Sequence, residues 1–406
     1  MKTPIRIALM AVFAYCFVFV NNVSAQDDIR QKIETMPYYS YRKGMGITSS
    51  DSIYQFNIRF RIQNRATFIK NNDDESSVDG QIRRLRLRFD GYVGNPKFTY
   101  LFQLSFAPGD VGEVEEGKDF NVIRDAVVFY EPNNKWTFGF GQTKLPGNRQ
   151  RFNSSGGLQL TDRSINNSRF NIDRDFGFQV YRLNQFKNKF SYNIKAAVSM
   201  GEGRNFTENN DANLAYTAKL ELYPFGSFSK SGEYFEGDIL REEKPKLMIA
   251  GAFHFNNKAK NSQGQTGSAL YTPKDMQSIF GDIIYKHKGF SFMSAYMQRK
   301  TNNPIAVNPH NSAEFNYVYV GTGMDYQSSY MFKNHYEIIG RYSWQNVDKK
   351  IFQYTPNTKQ LTLGLTKYIW EHAFKLQAEA TYNIENYYNS TKKNNWYFRL
   401  QTEIGI

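Results

Sequence analysis

The sequence predicts an all-β fold, a transmembrane antiparallel β-barrel of about sixteen strands. Three observations lead to this prediction. Apolar and polar residues alternate over many segments of about ten residues. Aromatic residues make up 16% of the 406-residue chain. Short and long connections between the segments also alternate, as they do in such barrels. A secreted β-sandwich rich in aromatic residues, such as a glycan-binding domain, is the competing interpretation.

The first 25 residues have the pattern of a secretory signal peptide. MKTPIR is basic, IALMAVFAYCFVFV is apolar, and the following segment ends in the small-residue pattern VSA. We expect cleavage after Ala25, then a periplasmic N-terminal segment over residues 26–52 and the barrel over residues 53–406. The only cysteine, Cys16, lies within the signal, so the exported chain is expected to contain no disulfide.

Strict alternation recurs almost to the end of the chain. In YQFNIRFRIQ, residues 54–63, aromatic and aliphatic side chains occupy one face and polar side chains the other. One face therefore requires hydrocarbon and the other requires water, as in a barrel with a wet lumen. Segments of this kind begin near residues 53, 80, 97, 119, 135, 175, 188, 213, 246, 277, 289, 315, 333, 359, 373 and 394. Where the phase is ambiguous, around residues 121–130 and 278–286, a β-bulge is expected.

The connections predict which end of each segment faces the periplasm. Short turns, such as GNPK at residues 94–97, follow the even-numbered segments, and long polar loops follow the odd-numbered ones. This arrangement places both chain ends and the turns in the periplasm. The longest loop, residues 142–174, follows segment five and is expected to fold inward as a constriction. Residues 224–245 form a long connection where the parity predicts a short turn, and the sequence offers no account of it.

One predicted strand, QIRRLRLRFDG at residues 81–91, carries arginine at every second position. Like charges side by side destabilise a sheet, so either acidic groups neutralise these arginines or their field has a use. A low-dielectric wall focuses such a field and raises the local anion concentration. The competing interpretation is a solvated sheet face with acidic neighbours. The strand phase predicts one wall of five arginines: Arg59, Arg61, Arg84, Arg86 and Arg88.

Motifs for catalysis or metal binding are missing from the sequence. The five histidines are scattered without the spacing of metal ligands, and no nucleophile motif is present. The net charge is +13, or about +11 without Lys2 and Arg6 of the signal. The export signal and the lack of a recognition motif nevertheless argue against nucleic acid as a partner. We therefore predict no catalytic residues, no metal and no cofactor.

A succession of motifs resembles the phosphate-selective porin O/P family. The motifs are RLRLRFDG at 84–91, RDAVVFY at 124–130, FGFGQTKLPGNRQ at 138–150, the serines at 154–155, TDRS at 161–164 and RDFG at 174–177. The resemblance implies a trimeric sixteen-stranded barrel in the outer membrane that passes phosphate along arginines and lysines of its lumen. The residues it points to are Arg84, Arg86 and Arg88 on the strand, with Lys144, Arg149 and Arg151 in the long loop. Arg59 and Arg61 are added from the strand phase.

These observations predict an outer-membrane porin, a passive diffusion channel that prefers small anions such as phosphate. Its expected partners are outer-membrane lipid and two further copies of the chain, forming a homotrimer, and it is expected not to be an enzyme. An outer-membrane binding or adhesion barrel with a closed lumen is the second hypothesis. An outer-membrane hydrolase is the third.

Overall fold

The computed structural model describes residues 39–40, 44–71, 76–111, 121–206 and 212–406, and these form a closed antiparallel barrel of sixteen strands. The strands are β1 (Tyr54–Asn71), β2 (Ser77–Val93), β3 (Phe98–Ser105), β4 (Ile123–Asn133), β5 (Trp136–Lys144), β6 (Arg174–Asn184), β7 (Ser191–Ser199) and β8 (Ala215–Tyr223). They continue with β9 (Lys246–Asn261), β10 (Ala269–His287), β11 (Phe290–Lys300), β12 (Gly321–Met331), β13 (Tyr336–Val347), β14 (Asn357–Trp370), β15 (Phe374–Asn386) and β16 (Lys392–Gly405). The predicted fold class is confirmed.

Closure of the barrel joins its first and last strands. β1 pairs with β2 on one side and with β16 on the other, in a register that runs from Asn395 opposite Asn71 to Gly405 opposite Arg61. Beyond that point Gly44–Thr48 takes the place of β16 and pairs with residues 55–58 of β1. The expected signal peptide and residues 26–38 and 41–43 of the expected periplasmic segment lie outside the described residues.

Side-chain burial is inverted relative to a soluble protein. Large apolar side chains such as Phe140, Phe178 and Leu363 are exposed on the outside of the wall. Charged side chains such as Lys195 and Lys375 are fully buried on the inside. Lipid would cover the outer face, so the alternation seen in the sequence separates a lipid face from a polar lumen.

The connections keep the predicted parity. Those after even-numbered strands are short, as at residues 134–135, 288–289 and 371–373, with the exception of residues 224–245. Those after odd-numbered strands are mostly longer, with exceptions such as residues 387–391, and two of them carry the short helices α1 (Pro108–Val111), α2 (Arg149–Phe152) and α3 (Ile165–Phe170). A hairpin of Ile305–Asn308 and Asn311–Tyr317 lies in the connection between β11 and β12. Among the described residues, no helix has the length and apolar character needed to span a membrane.

Most strands begin within a few residues of the predicted positions, and the two largest differences have structural reasons. β10 begins at Ala269 rather than near 277, because its first residues pair with the last residues of β9. β12 begins at Gly321 rather than near 315, because Asn311–Tyr317 belongs to the loop hairpin.

The two predicted bulges have different outcomes. Between β3 and β4 the register shifts, with Gln103 opposite Asp125 and Leu104 opposite Ile123, so the bulge predicted around 121–130 is confirmed. The bulge predicted around 278–286 is wrong, because β10 pairs without a shift from Gln277 to Lys286 with both neighbours. The irregularity between β9 and β10 lies instead at Asn256–Ala259 of β9.

Candidate functional site

The arginines of β1 and β2 stand directly opposite one another on the lumen side of the wall. Arg59 is paired with Arg88, and Arg61 is paired with Arg86. Arg84 is opposite Gln63, whose side chain accepts a hydrogen bond from the Arg84 guanidinium. The strand phase therefore predicted this adjacency correctly, because side chains at every second position of neighbouring strands share a face.

Carboxylates neutralise part of this charge. Arg59 Nη2 and Arg88 Nε both lie 2.9 Å from the Asp90 carboxylate, which is on the same strand as Arg88. Arg61 Nη1 lies 3.9 Å from Glu403 of β16. The counter-charge that like-charged neighbours require is thus supplied partly by the wall itself.

Two further carboxylates come from connections rather than from strands. Arg84 Nη2 lies 3.1 Å from Asp162 Oδ1, in the connection after β5. Arg86 Nη2 lies 2.6 Å from Asp110 Oδ2 in α1, and Arg124 Nη1 lies 2.8 Å from the other oxygen of that carboxylate. Burial alone would raise the pKa of the Asp110 carboxyl, but the two arginines hold it well below its ordinary value.

Asp162 is held by arginines of two strands. Arg65 Nη1 of β1 lies 3.1 Å from its Oδ2, and Arg83 Nε and Arg84 Nη2 of β2 donate to its two oxygens at 3.0 and 3.1 Å. Burial would raise the pKa of Asp162, but Arg84, Arg83 and Arg65 keep the pKa well below its ordinary value. The Asp162 side chain is therefore an anion surrounded by guanidinium groups.

The connection between β5 and β6, residues 145–173, crosses the lumen from one wall to the other; we call it the long loop. On one wall, Lys219 of β8 donates to Gly147 O at 2.9 Å. On the opposite wall, Arg61 of β1 donates to Ser155 Oγ at 2.7 Å. Further anchors to the wall are Lys375 to Leu158 O at 2.7 Å, Arg341 to Asp162 O at 3.0 Å and Ser164 to Asp325 at 2.6 Å.

Residues 224–245, which we call the turn-side insert, enter the barrel from the end of the short turns. Lys286 of β10 donates to the carbonyl oxygens of Gly232 and Glu236 at 2.8 Å each. Arg241 donates to Met331 O at the end of β12. The sequence offered no account of this connection, and the structure supplies one, because the insert lies against the inner wall instead of forming a turn.

The long loop and the turn-side insert contact each other inside the barrel. Glu236 N donates to Gly157 O at 2.9 Å, and the Glu236 carboxylate accepts from Gln150 Nε2 and Gln159 N at 3.0 Å each. Arg149 Nε donates to Glu233 O at 2.9 Å. Together the two segments fill the lumen next to β8, β10 and β12, and the long loop also reaches the arginines of β1 and β2 through Ser155 and Asp162.

Two cavities formed by described residues lie on the arginine side. The loop-side cavity, of about 310 Å³, is lined there by nine cationic side chains and by the carboxylates of Asp110 and Asp162. The turn-side cavity, of about 490 Å³, has arginines on one wall and apolar side chains such as Leu240 and Trp370 on the other. The cations of the loop-side cavity are Arg83, Arg84, Arg86, Arg124, Lys144, Arg151, Arg163, Arg174 and Arg399.

The two cavities meet at Arg86, which lines both of them. Ser155 of the long loop lies at this junction, which we call the partition, and its hydroxyl accepts hydrogen bonds from Arg61 Nη2 at 2.7 Å and from Arg86 Nη1 at 3.1 Å. Ser154 Oγ lies 3.3 Å from Arg61 Nη1.

Seven of the eight residues predicted for an anion path line one or both of these cavities. Arg149 lines neither: it is 5% exposed and donates to backbone oxygens of Glu233 and Phe235, so it joins the long loop to the turn-side insert. Arg59, Arg61 and Arg88 line the turn-side cavity, Arg84, Lys144 and Arg151 the loop-side cavity, and Arg86 both.

Several cations of the site were not singled out from the sequence. Arg399 could have been singled out, because it lies on the polar, lumen-facing side of the alternation in the last strand. Arg124 is the additional residue at the β4 bulge, so the alternation of the strand does not show which face it occupies. Arg83 is the additional residue where the pairing of β1 and β2 shifts between Gln63 and Asn64. Asp162 and Arg163 belong to a quoted motif, but no periodicity indicates where a loop residue points.

Comparison with known proteins identifies both a family and a fold. Residues 54–401 match the family described as phosphate-selective porin O and P, whereas no curated protein matches the sequence. The outer membrane channel DcaP of Acinetobacter baumannii is similar in structure, with a TM-score of 0.53 and 14% identity over 89% of this chain and 99% of that one.

Two other solved structures are similar to the same extent. An anion-selective porin from Comamonas acidovorans has a TM-score of 0.53 and 10% identity over 87% of this chain and all (100%) of that one. OmpF of Salmonella typhi has a TM-score of 0.53 and 12% identity over 88% of this chain and 100% of that one. At these identities the likeness establishes the barrel fold, and the family match supports a channel in the outer membrane.

Proposed function

Because the chain belongs to the phosphate-selective porin O and P family, we propose that it is a passive diffusion channel of the outer membrane that prefers anions, with phosphate as the leading substrate. The observation that carries the proposal is the lining of the loop-side cavity, where nine cations face two carboxylates among the described residues. Arg151, Arg174 and Arg399 are paired with Asp173, Asp125 and Glu379 behind this lining, and the positive charge still exceeds the negative charge. Such a surplus in a low-dielectric space attracts anions and excludes cations.

The path we propose follows the arginine wall from one cavity to the other. An anion would enter the loop-side cavity, pass the partition at Ser155 and leave through the turn-side cavity beside Arg88 and Arg59. Guanidinium groups would replace part of its hydration shell with charge-assisted hydrogen bonds. Because these donors are distributed along the wall, the anion is passed between several weak sites and is not trapped at one.

The long loop and the turn-side insert support the same path. They fill the lumen next to β8, β10 and β12, and the long loop reaches the arginines of β1 and β2 at Ser155 and Asp162, so the space that remains lies against cationic side chains. In this proposal the long loop acts as the predicted constriction, and Lys144 and Arg151 add positive charge to the wall that faces β1 and β2.

The test is an electrical recording from purified protein in a planar lipid bilayer under a gradient of potassium chloride. We expect steady conductance and a reversal potential whose sign shows that chloride is more permeant than potassium. Clear cation selectivity would refute the proposal. The homotrimer that the family resemblance implies is measured separately, by the mass of the detergent-solubilised particle.

One observation favours the alternative of a binding barrel with a closed lumen. The two cavities are separated at Ser155, which is hydrogen-bonded to Arg61 and Arg86 across the gap. A barrel that stays closed at this partition would bind ligands without passing them. Absence of conductance together with binding of anions by the folded protein would favour this alternative over the channel.

A further inference from the structure

We propose that the Asp162 carboxylate is a tethered competitor, which occupies an oxyanion-binding site of the loop-side cavity and thereby sets the affinity of the channel for its substrate. The inference rests on the proposed anion path and names the residue that limits binding there. The chain itself thus supplies a carboxylate at a position where a free anion would bind.

The geometry around Asp162 is that of a bound oxyanion. Guanidinium nitrogens of Arg65, Arg83 and Arg84 lie 2.9 to 3.1 Å from its two oxygens. Clusters of guanidinium groups around a group with several oxygens are the usual way in which proteins bind carboxylate and phosphate. Arg65 and Arg84 are 8% and 2% exposed, so the site is built into the wall rather than formed by mobile surface side chains.

One carboxylate leaves donors of this cluster unused. Among the residues that the structure describes, the buried Nε atoms of Arg65 and Arg84 in this cluster have no hydrogen-bond acceptor, and neither has Nε of Arg124, which lines the same cavity as Arg84 and pairs with Asp110. Buried donors are almost always paired, so these unpaired guanidinium donors in and beside the cluster indicate a missing acceptor. An anion with more oxygens and more charge than a carboxylate would satisfy the cluster better, once small side-chain movements brought these donors into reach.

The side chain can leave the site without displacing the long loop. The backbone on either side of the carboxylate has its own anchors, since Thr161 N donates to Glu379 at 2.9 Å and Arg341 donates to Asp162 O at 3.0 Å. The Asp162 side chain is 23% exposed and borders the loop-side cavity of about 310 Å³. A change of its rotamer would therefore open the cluster to a competing anion.

Competition of this kind defines the preferred substrate class. An incoming anion must replace hydrogen bonds made to two separate oxygens. An oxyanion with three or four oxygens can do so with bidentate geometry, whereas the single atom of a halide cannot match that spacing. The site therefore favours polyatomic oxyanions such as phosphate over chloride. The tethered carboxylate lowers the affinity for these oxyanions, and weak binding permits release on the far side.

The test uses the purified full-length protein in planar bilayers, with chloride as the current carrier and inorganic phosphate as the competing anion. We compare the phosphate concentration that halves the chloride current in the wild type, in Asp162→Asn and in Glu131→Gln. Glu131 is exposed near the end of β4 and does not line the loop-side cavity, so its substitution makes the same change of charge away from the Asp162 cluster. Folding of each variant is verified by the heat-modifiable mobility of the barrel on electrophoresis.

Asp162→Asn is expected to lower the half-blocking phosphate concentration at least tenfold, and Glu131→Gln is expected to leave it unchanged. An unchanged or higher value for folded Asp162→Asn overturns the inference, even when the wild type is anion-selective. A cation-selective wild type instead refutes the proposed function. Should Asp162→Asn fail to fold, Asp162→Ser removes the same charge and is judged by the same measurement.

Discussion

Arg61 and Arg86 stand directly opposite each other on β1 and β2, and both donate to the hydroxyl of one serine, Ser155. Two like charges that share a neutral acceptor have lost part of their hydration without gaining a full counter-charge. Asp110, 2.6 Å from Arg86, and Glu403, 3.9 Å from Arg61, compensate the two charges only in part. The arrangement therefore leaves positive charge at the partition between the two cavities. This is the point at which selectivity is expected to be set.

Replacing the Ser155 hydroxyl tests the partition directly. Ser155→Ala removes the acceptor shared by Arg61 and Arg86, so both side chains gain freedom and the partition widens. We expect the single-channel conductance to rise up to about twofold, with the preference for anions retained. Ser154→Ala is the matched control, because Ser154 contacts only Arg61 of this pair, at 3.3 Å, and a smaller effect is expected. A fall in conductance for Ser155→Ala would contradict this account.

Removal of the β2 arginines tests the charge of the wall. In the triple variant Arg84→Ala, Arg86→Ala and Arg88→Ala, the carboxylates of Asp110 and Asp162 lose part of their compensation. We expect the reversal potential in a chloride gradient to shift toward zero, with the barrel still folded. The triple lysine variant keeps the charge and should retain most of the selectivity. An unchanged reversal potential in the alanine variant would exclude these arginines from the path.

Arg149 and Arg151 lie on the same short helix but are expected to have different roles. Arg149→Met removes the hydrogen bonds to Glu233 O and Phe235 O, at a cost of about 1.5–3 kcal/mol. We expect faster proteolysis within the turn-side insert and little change in selectivity. Arg151→Met removes a cation that lines the loop-side cavity, so selectivity should fall without faster proteolysis. A loss of selectivity in Arg149→Met alone would restore Arg149 to the anion path.

Shortening the turn-side insert tests whether it restricts the lumen. Replacing residues 225–244 by a two-residue turn gives β8 and β9 the short connection that their parity predicts. We expect higher conductance and weaker anion selectivity, because loss of the insert widens the turn-side cavity on the side away from the arginines of β1 and β2. Deletion of the hairpin at residues 305–317, on the loop side, serves as the control and should leave the conductance unchanged. Equal conductance of the shortened variant and the wild type would show that the insert does not restrict flow.

Much of the barrel could be predicted from local pattern. Alternation along each strand repeats with a period of two, so strand positions and the adjacency of Arg61 and Arg86 follow from nearby residues. Prediction was wrong where this period carries no information. Residues 278–286 are regular although their pattern is ambiguous, and Asn311–Tyr317 is a strand of a loop hairpin rather than the start of β12.

The alternation of the chain thus defines an outward apolar face, an inward polar face and a column of arginines on β1 and β2. It does not define the partners of those arginines. Asp162 meets Arg84 across 78 positions of sequence, and Glu403 of the last strand lies 3.9 Å from Arg61 of the first strand. Such pairs depend on closure of the barrel and on the path of the long loop and the turn-side insert through it. Only the tertiary structure decides them, because a loop side chain has no periodicity and its position depends on contacts with distant strands.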